Sequence, residues 1–130
     1  MNRWAIRFGA LGGFMMVSAG LQAHHSVAAV YLLNTEVVLE GQLTKLNIRN
    51  PHSNLHLAVP NADGTTTEWV LTTATPQVLI RQGVSRDSIK PGEILKITIL
   101  PARNGSPVGF IRTLELGDRE IELFFDSGPN

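Results

Sequence analysis

Residues 35–48, TEVVLEGQLTKLNI, have the pattern of one long, bent β-strand, and the predicted fold is built around it. Apolar residues alternate along it, as in a β-strand with one buried face. Leu39 and Leu43 share one parity, whereas Leu46 has the other. A change of parity within one strand requires a β-bulge or a sharp bend, and Gly41 is the predicted pivot. A long strand bent in this way can serve both sheets of a small barrel.

Shorter strands are predicted downstream at 55–59, 66–71, 95–99, 110–116 and 120–124, with turn residues between them. The turn at 61–64 ends in Asp-Gly, which supplies a left-handed position for a hairpin. One helix is predicted, with Thr75 as N-cap, Pro76 in the first turn and Gly83 at the stop. The fold class is therefore all-β with one short helix. The order β-β-β-α-β-β, plus a short extra strand, is that of a small OB-fold-like barrel.

Residues 1–23 have the three parts of a cleavable export signal. Arg3 and Arg7 supply positive charge, residues 8–19 are apolar and uncharged, and Ala23 is a small residue at the cleavage position. A membrane span needs about 20 apolar residues, so no permanent membrane anchor is expected. We expect a periplasmic or secreted protein whose residues 24–130 form one OB-like β-barrel domain with a frayed C-terminal tail. Cleavage after Ala19 is the alternative.

Charge and composition exclude several classes of function. Beyond residue 23, nine Lys and Arg residues face 11 Asp and Glu residues, so the formal charge is −2. A nucleic-acid partner is not expected, because binding proteins of that class carry a basic surface. There are no cysteines. Disulfides, thiolate metal sites and thiol nucleophiles are therefore excluded, and the domain has to be stabilised by its apolar core.

Four histidines are the candidate metal ligands: His24, His25, His52 and His56. Cleavage after Ala23 would place His24 first, so that its α-amine and its imidazole could both bind a metal ion. An all-nitrogen ligand set suits copper(II). Neighbouring side chains of an extended chain point to opposite sides, so His24 and His25 do not converge without a turn. His52 and His56 would lie about 13 Å apart in an extended strand. A site that joins His24 to His52 is therefore preferred, with His25 and His56 as reserve ligands.

Each histidine also has a purely structural interpretation. His24 and His25 could belong to a disordered terminus. His52 follows Pro51 in a turn, where a ring nitrogen can hydrogen bond to the local backbone. His56 lies between Leu55 and Leu57 and so is expected to face solvent.

Trp69 and Arg112 are candidate ligand-binding residues. Trp69, beside Glu68, could form a stacking surface, or it could fill the core or the rim of the barrel. Arg112 shares parity with Phe110 and Leu114, which are expected to face inward. A guanidinium there has to reach solvent at the rim or pair with a carboxylate. The acidic residues at 115–122 are expected to be a solvated hairpin end.

Several motifs of the chain resemble a family of small exported bacterial proteins that is known only as a domain of unknown function. The resemblance covers nearly all of residues 24–130. It implies an exported small β-domain and no established activity. Its motifs are Ala23-His24-His25-Ser26, Val38-Leu39-Glu40-Gly41, Asn50-Pro51-His52, Trp69 and the run from Ala74 to Gly92.

Three hypotheses follow. The first is a non-enzymatic protein that binds copper through His24 and His52. The second is a binding or assembly module that receives a peptide, a glycan or a protein partner of the cell envelope, with no metal. The third is a copper oxidase, for which the sequence supplies no recognisable acid or substrate pocket. No nucleophile elbow, phosphate-binding loop or zinc-protease helix is present, so an enzyme is not expected.

Overall fold

A computed structural model describes residues 27–125 of the chain. It contains six β-strands, one helix and a helical turn at residues 27–30. No helix within 27–125 has the length and apolar character needed to cross a membrane. The elements are β1 (Val37–Asn47), β2 (Asn54–Pro60), β3 (Thr66–Thr72), α1 (Pro76–Arg81), β4 (Ile94–Pro101), β5 (Val108–Leu116) and β6 (Arg119–Glu122).

The strands form one sheet that closes on itself. Their order is β3-β2-β1-β4-β5-β6, and β3 also pairs with β5. This closing pair is parallel and joins residues 70–72 to residues 108–110, whereas every other pair of strands is antiparallel. Five strands therefore make a barrel, and β6 is an additional strand on β5. The predicted small OB-like barrel is confirmed.

Strand β1 belongs to both halves of the barrel, as the change of parity predicted. Its residues 37–42 pair with β4, and its residues 42–47 pair with β2. The predicted pivot was wrong, because the register shift lies between Leu43 and Lys45. Gly41 has a different role. A side chain at this position would overlap with the carbonyl oxygen of Ala58, so Gly41 permits the close approach of β2.

The predicted turn and helix signals are confirmed. At the β2–β3 turn, Gly64 has a φ of 85° and its N–H donates to the carbonyl of Asn61. Thr75 caps α1, since its side-chain oxygen accepts from the N–H of Val78. Gly83, which follows the helix, has a φ of 81°. These local signals place both ends of α1 within one residue of the predicted positions.

Aliphatic side chains fill the barrel. They come from all six strands, from α1, from the segment that connects α1 to β4 and from the residue that follows β6. The members of this main core are Leu39, Leu43, Leu55, Leu57, Leu71, Leu79, Val84, Ile89, Leu95, Ile97, Ile99, Ile111, Leu114, Ile121 and Leu123.

A second apolar cluster lies outside the barrel, on β4 and β5. We call it the aromatic cluster. Its buried members are Tyr31, Leu100, Ala102, Phe110 and Phe124, and Val27, Leu33 and Val108 pack against them. Because neighbouring residues of β4 alternate between the two faces, Leu100 points away from the main core that Ile99 joins. The segment before β1 thus covers an apolar patch of the outer surface.

A bulge in β5, at Arg112, corrects the prediction that Phe110 and Leu114 share one face of the strand. Thr98 pairs with Thr113 and Ile99 pairs with Ile111, so Arg112 has no residue opposite it in β4. Phe110 and Leu114 were expected to share the inward face. The extra residue reverses the alternation, and Phe110 lies in the aromatic cluster while Leu114 lies in the main core.

Gly41→Ala should destabilise the protein strongly, because the added methyl group meets backbone atoms of Ala58 that cannot move without shifting β2. We expect a loss of about 2–3 kcal/mol in the free energy of unfolding, in the upper range for overpacked sites. Urea denaturation measures this loss. Glu40→Ala, at an exposed position of the same strand, is the control and should change stability by less than about 0.5 kcal/mol. Equal effects of the two substitutions would contradict the packing argument.

Thr73→Val should leave stability unchanged or raise it by about 1 kcal/mol. Thr73 is 2% exposed, and its hydroxyl finds no hydrogen-bond partner among residues 27–125. Valine has nearly the same shape and removes this buried polar group. The control is Thr72→Val, since the Thr72 hydroxyl oxygen accepts from the Tyr31 hydroxyl at 3.4 Å. A lower unfolding temperature for Thr73→Val than for Thr72→Val would contradict this prediction.

Candidate functional site

His52 lies on the connection between β1 and β2, one residue after the cis Asn50–Pro51 peptide bond. Ser53 holds this connection in place. Its hydroxyl oxygen accepts from the Arg49 N–H at 3.2 Å, and its backbone N–H donates to the carbonyl of Ala74. Ser53 is 0% exposed. A buried residue therefore anchors the loop while the neighbouring His52 stays exposed.

One ring nitrogen of His52 is already occupied. Nδ1 lies 3.3 Å from the backbone carbonyl oxygen of Thr73. A carbonyl oxygen only accepts, so Nδ1 carries the proton and the neutral ring keeps its lone pair on Nε2. This arrangement is typical of metal-binding histidines, whose second nitrogen donates to a carbonyl or a carboxylate. The interaction favours the tautomer that is protonated on Nδ1 and holds the ring beside Thr73.

The His52 ring also contacts the aromatic cluster. It meets Phe110 edge to face, with 6.3 Å between ring centroids and an interplanar angle of 78°. Phe110 in turn contacts Tyr31 at 5.8 Å and Phe124 at 5.3 Å, both edge to face. The imidazole is thus packed on one side against a buried aromatic ring.

Residues 27–33 attach to the same cluster by hydrogen bonds as well as by packing. The Leu32 N–H donates to the carbonyl of Pro101 at 2.9 Å. Arg103 donates two more hydrogen bonds to this segment. Its backbone N–H donates to the carbonyl of Val30 at 2.9 Å, and its Nε donates to the carbonyl of Ala28 at 2.8 Å. This segment is therefore held along the end of β4 and the β4–β5 loop.

His24 and His25 lie outside the described residues. They precede Val27, the first described residue, by three and two positions. Val27 packs against the aromatic cluster, which also contains Phe110, the ring that His52 contacts. Three residues of chain reach at most about 10 Å. Val27, the first described residue, therefore packs on the same aromatic cluster as His52.

His56 is held separately on β2. It lies opposite Val70 of β3, on the outward face, and its Nδ1 is 2.8 Å from Oε1 of Glu68. The side chain points outward, as predicted, but it is only 24% exposed. Among residues 27–125, no group of three or more His, Cys, Asp or Glu side chains could hold a metal ion.

Trp69 and Arg112 both make contacts within the domain. Trp69 lies opposite Leu57 and packs, half-buried, against the main core. The Nε of Arg112 is 2.7 Å from a carboxylate oxygen of Glu36. Pairing with a carboxylate was one of the two arrangements predicted for Arg112, and it is the one that occurs. A ligand-binding role for either residue stays a prediction.

Sequence reasoning missed Arg103, Tyr31 and Phe110 as residues near the site. Tyr31 and Arg103 belong to segments 72 positions apart, and nothing local links them. Phe110 was assigned to the barrel interior because the bulge at Arg112 is not visible in the alternation pattern. The one available signal was the apolar character of residues 27–33 immediately before β1.

Comparison with known proteins identifies a family. The model of a family of unknown function, DUF6152, matches residues 13–112. The chain belongs to this family. The region that matches DUF6152 includes all four histidines and extends into β5. No match was found among curated proteins or among solved structures. The predicted membership in a family of unknown function is confirmed, while the export signal stays a prediction.

Arg103→Ala should loosen residues 27–33 without unfolding the barrel, because it removes the donation to the Ala28 carbonyl. We expect faster amide hydrogen exchange at Tyr31 and Leu32, by about threefold to tenfold, from the loss of about one hydrogen bond. Exchange in β1–β4 should be unchanged. Arg86→Ala, at an exposed arginine in the turn before β4, is the control. Unchanged exchange at Tyr31 and Leu32 would contradict the anchoring role.

Proposed function

We propose that this protein is exported and binds copper through its mature N-terminus and His52. The observation that carries the proposal is the geometry of His52. Its Nδ1 donates to the Thr73 carbonyl, its Nε2 is left available, and its ring packs on the cluster to which residues 27–33 are attached. A histidine presented in this way needs little further ordering to become a ligand.

The donor set suits copper(II). Cleavage after Ala23 would give His24 a free α-amine, so amine, imidazole and His52 Nε2 would provide three nitrogen atoms. Copper(II) favours nitrogen donors in a square-planar arrangement. His25 is the reserve for the fourth position. His56 is a weaker candidate, because its pairing with Glu68 lies on the outward face of β2 and β3.

The anchored segment gives the proposal its physical basis. A terminal chelate on a free chain would lose conformational entropy on meeting a second ligand elsewhere. Here the hydrogen bonds from Leu32 and Arg103 already restrict the chain up to residue 28. The entropy cost is then confined to the few residues between His24 and that attachment.

His52→Ala should weaken copper binding at least tenfold in protein that begins at His24. Isothermal titration calorimetry of wild-type protein should give one copper(II) ion per chain. His56→Ala is the matched control and should change the affinity by less than about threefold, since it removes an imidazole outside the proposed site. Electron paramagnetic resonance should show one fewer nitrogen ligand on copper in His52→Ala, and an unchanged number in His56→Ala.

Two results would contradict the proposal. One is equal copper affinity of wild-type protein and His52→Ala. The other is absence of stoichiometric binding above that of the double variant His24→Ala, His25→Ala. N-terminal mass spectrometry of the exported protein tests the processing step separately, and a start at Gly20 would contradict a terminal His24 chelate.

A second candidate function is binding of a protein partner in the cell envelope, without a metal. The observation that favours it is a row of three carboxylates, Glu40, Glu115 and Glu120, around Lys96 on the outward face of β1, β4, β5 and β6. The two functions use different surfaces of the domain.

A further inference from the structure

The outward face of β1, β4, β5 and β6 carries a row of charged side chains across the four strands. Glu40 of β1 lies opposite Lys96 of β4. Lys96 Nζ is 2.6 Å from a carboxylate oxygen of Glu115 on β5. Glu115 lies opposite Glu120 of β6. Neighbouring strands are about 4.8 Å apart, so the row is compact, and we call this surface the acidic face.

The charges on the acidic face do not balance. Glu122, opposite Thr113, adds a fourth carboxylate next to the row, and Lys96 is the single cation among these five residues. Directly opposed like charges such as Glu115 and Glu120 destabilise a sheet. The hydrogen bond and charge of Glu115, with smaller contributions from Glu40 and Glu120, raise the pKa of Lys96. These carboxylates thus create a negative potential that one ammonium group does not cancel.

The other basic residues of β5 and β6 have their charged groups elsewhere. Arg112 pairs with Glu36. The guanidinium of Arg119 lies beside Gly83, after the end of α1. Residues 27–125 contain nine basic and ten acidic residues, close to balance. The negative charge is therefore concentrated on the acidic face and not spread over the domain.

Apolar surface borders the acidic face. Ile94 is 63% exposed and Val38 is 57% exposed, and both belong to the strands that carry Glu40 and Lys96. Two shallow cavities, of about 430 and 310 Å³, share Glu40 and Ile94 in their walls. The first continues to Ala58 and Pro60 of β2. An exposed isoleucine between two cavities can receive an apolar side chain beside the carboxylates.

Charge complementarity selects the occupant. Nucleic acids, anionic lipids and the acidic face of a second copy would all be repelled. No set of three metal-binding side chains is present within the part of the chain that the structure describes. We propose that the acidic face binds a basic, extended segment of a partner protein, with Lys or Arg side chains at Glu40, Glu115 and Glu120 and an apolar side chain against Ile94. This interaction rests on the second candidate function, whose partner it specifies, and it does not depend on copper binding.

The test is an NMR titration of ¹⁵N-labelled protein at low ionic strength. The probe is the peptide Lys-Leu-Lys-Leu-Lys, blocked at both ends so that its termini carry no charge. We expect amide shifts confined to residues 38–42, 94–98, 113–116 and 119–122. The double variant Glu115→Gln, Glu120→Gln should weaken binding about fivefold, as expected for exposed charge pairs. Added salt should lower the affinity of the wild type by a larger factor than that of the variant.

The matched control is the double variant Glu68→Gln, Asp87→Asn, which makes the same change of charge outside the acidic face and should bind the peptide as the wild type does. The Glu115→Gln, Glu120→Gln variant should keep the wild-type fold and stay within about 1 kcal/mol of its stability, because the relief of the Glu115–Glu120 repulsion offsets the loss of the exposed Lys96–Glu115 ion pair. Equal affinity of the two double variants, or shifts located away from the acidic face, would overturn the proposal. A Glu-Leu-Glu-Leu-Glu peptide that binds equally well would also overturn it.

Discussion

Strand β1 pairs with two strands at once, and this pairing holds the barrel together. Its first half hydrogen bonds to β4 and its second half to β2, and the change of partner occurs around Gln42. Gly41 makes this possible by leaving room for the carbonyl of Ala58. Once β2 and β4 are held on opposite sides of β1, the remaining strands β3 and β5 can meet and close the barrel.

The closed barrel has an aliphatic interior, and the two features with polar or aromatic side chains described above lie on its outer surface. On one side, residues 27–33 cover the aromatic cluster and tie the start of the domain to the loop that presents His52. On another, the acidic face is left open, with its carboxylates opposed across neighbouring strands. The main core is purely aliphatic and serves stability. The chemistry available to the protein is therefore on the outside of the barrel.

The fold was predictable where the signals are local. Alternation at Leu95, Ile97 and Ile99, the Thr75 cap and the hairpin turn before β3 all depend on residues a few positions apart. The two bulges were not predicted at their true positions, because Thr44 and Arg112 have nothing in their own neighbourhood that marks an unpaired residue. A bulge is a mismatch between two strands, so it is defined only when both strands are paired.

The order of the strands, the helix and the four candidate histidine ligands could all be read from local patterns in the sequence. The free nitrogen of His52 could not, because its other nitrogen hydrogen bonds to Thr73, 21 positions away along the chain. Tertiary structure also decided that Phe110 lies outside the barrel, next to His52, and that Glu40, Lys96, Glu115 and Glu120 form one row. The physical reason is that periodicity and capping act within a segment, whereas cross-strand register and side-chain hydrogen bonds join segments that meet only in the folded chain.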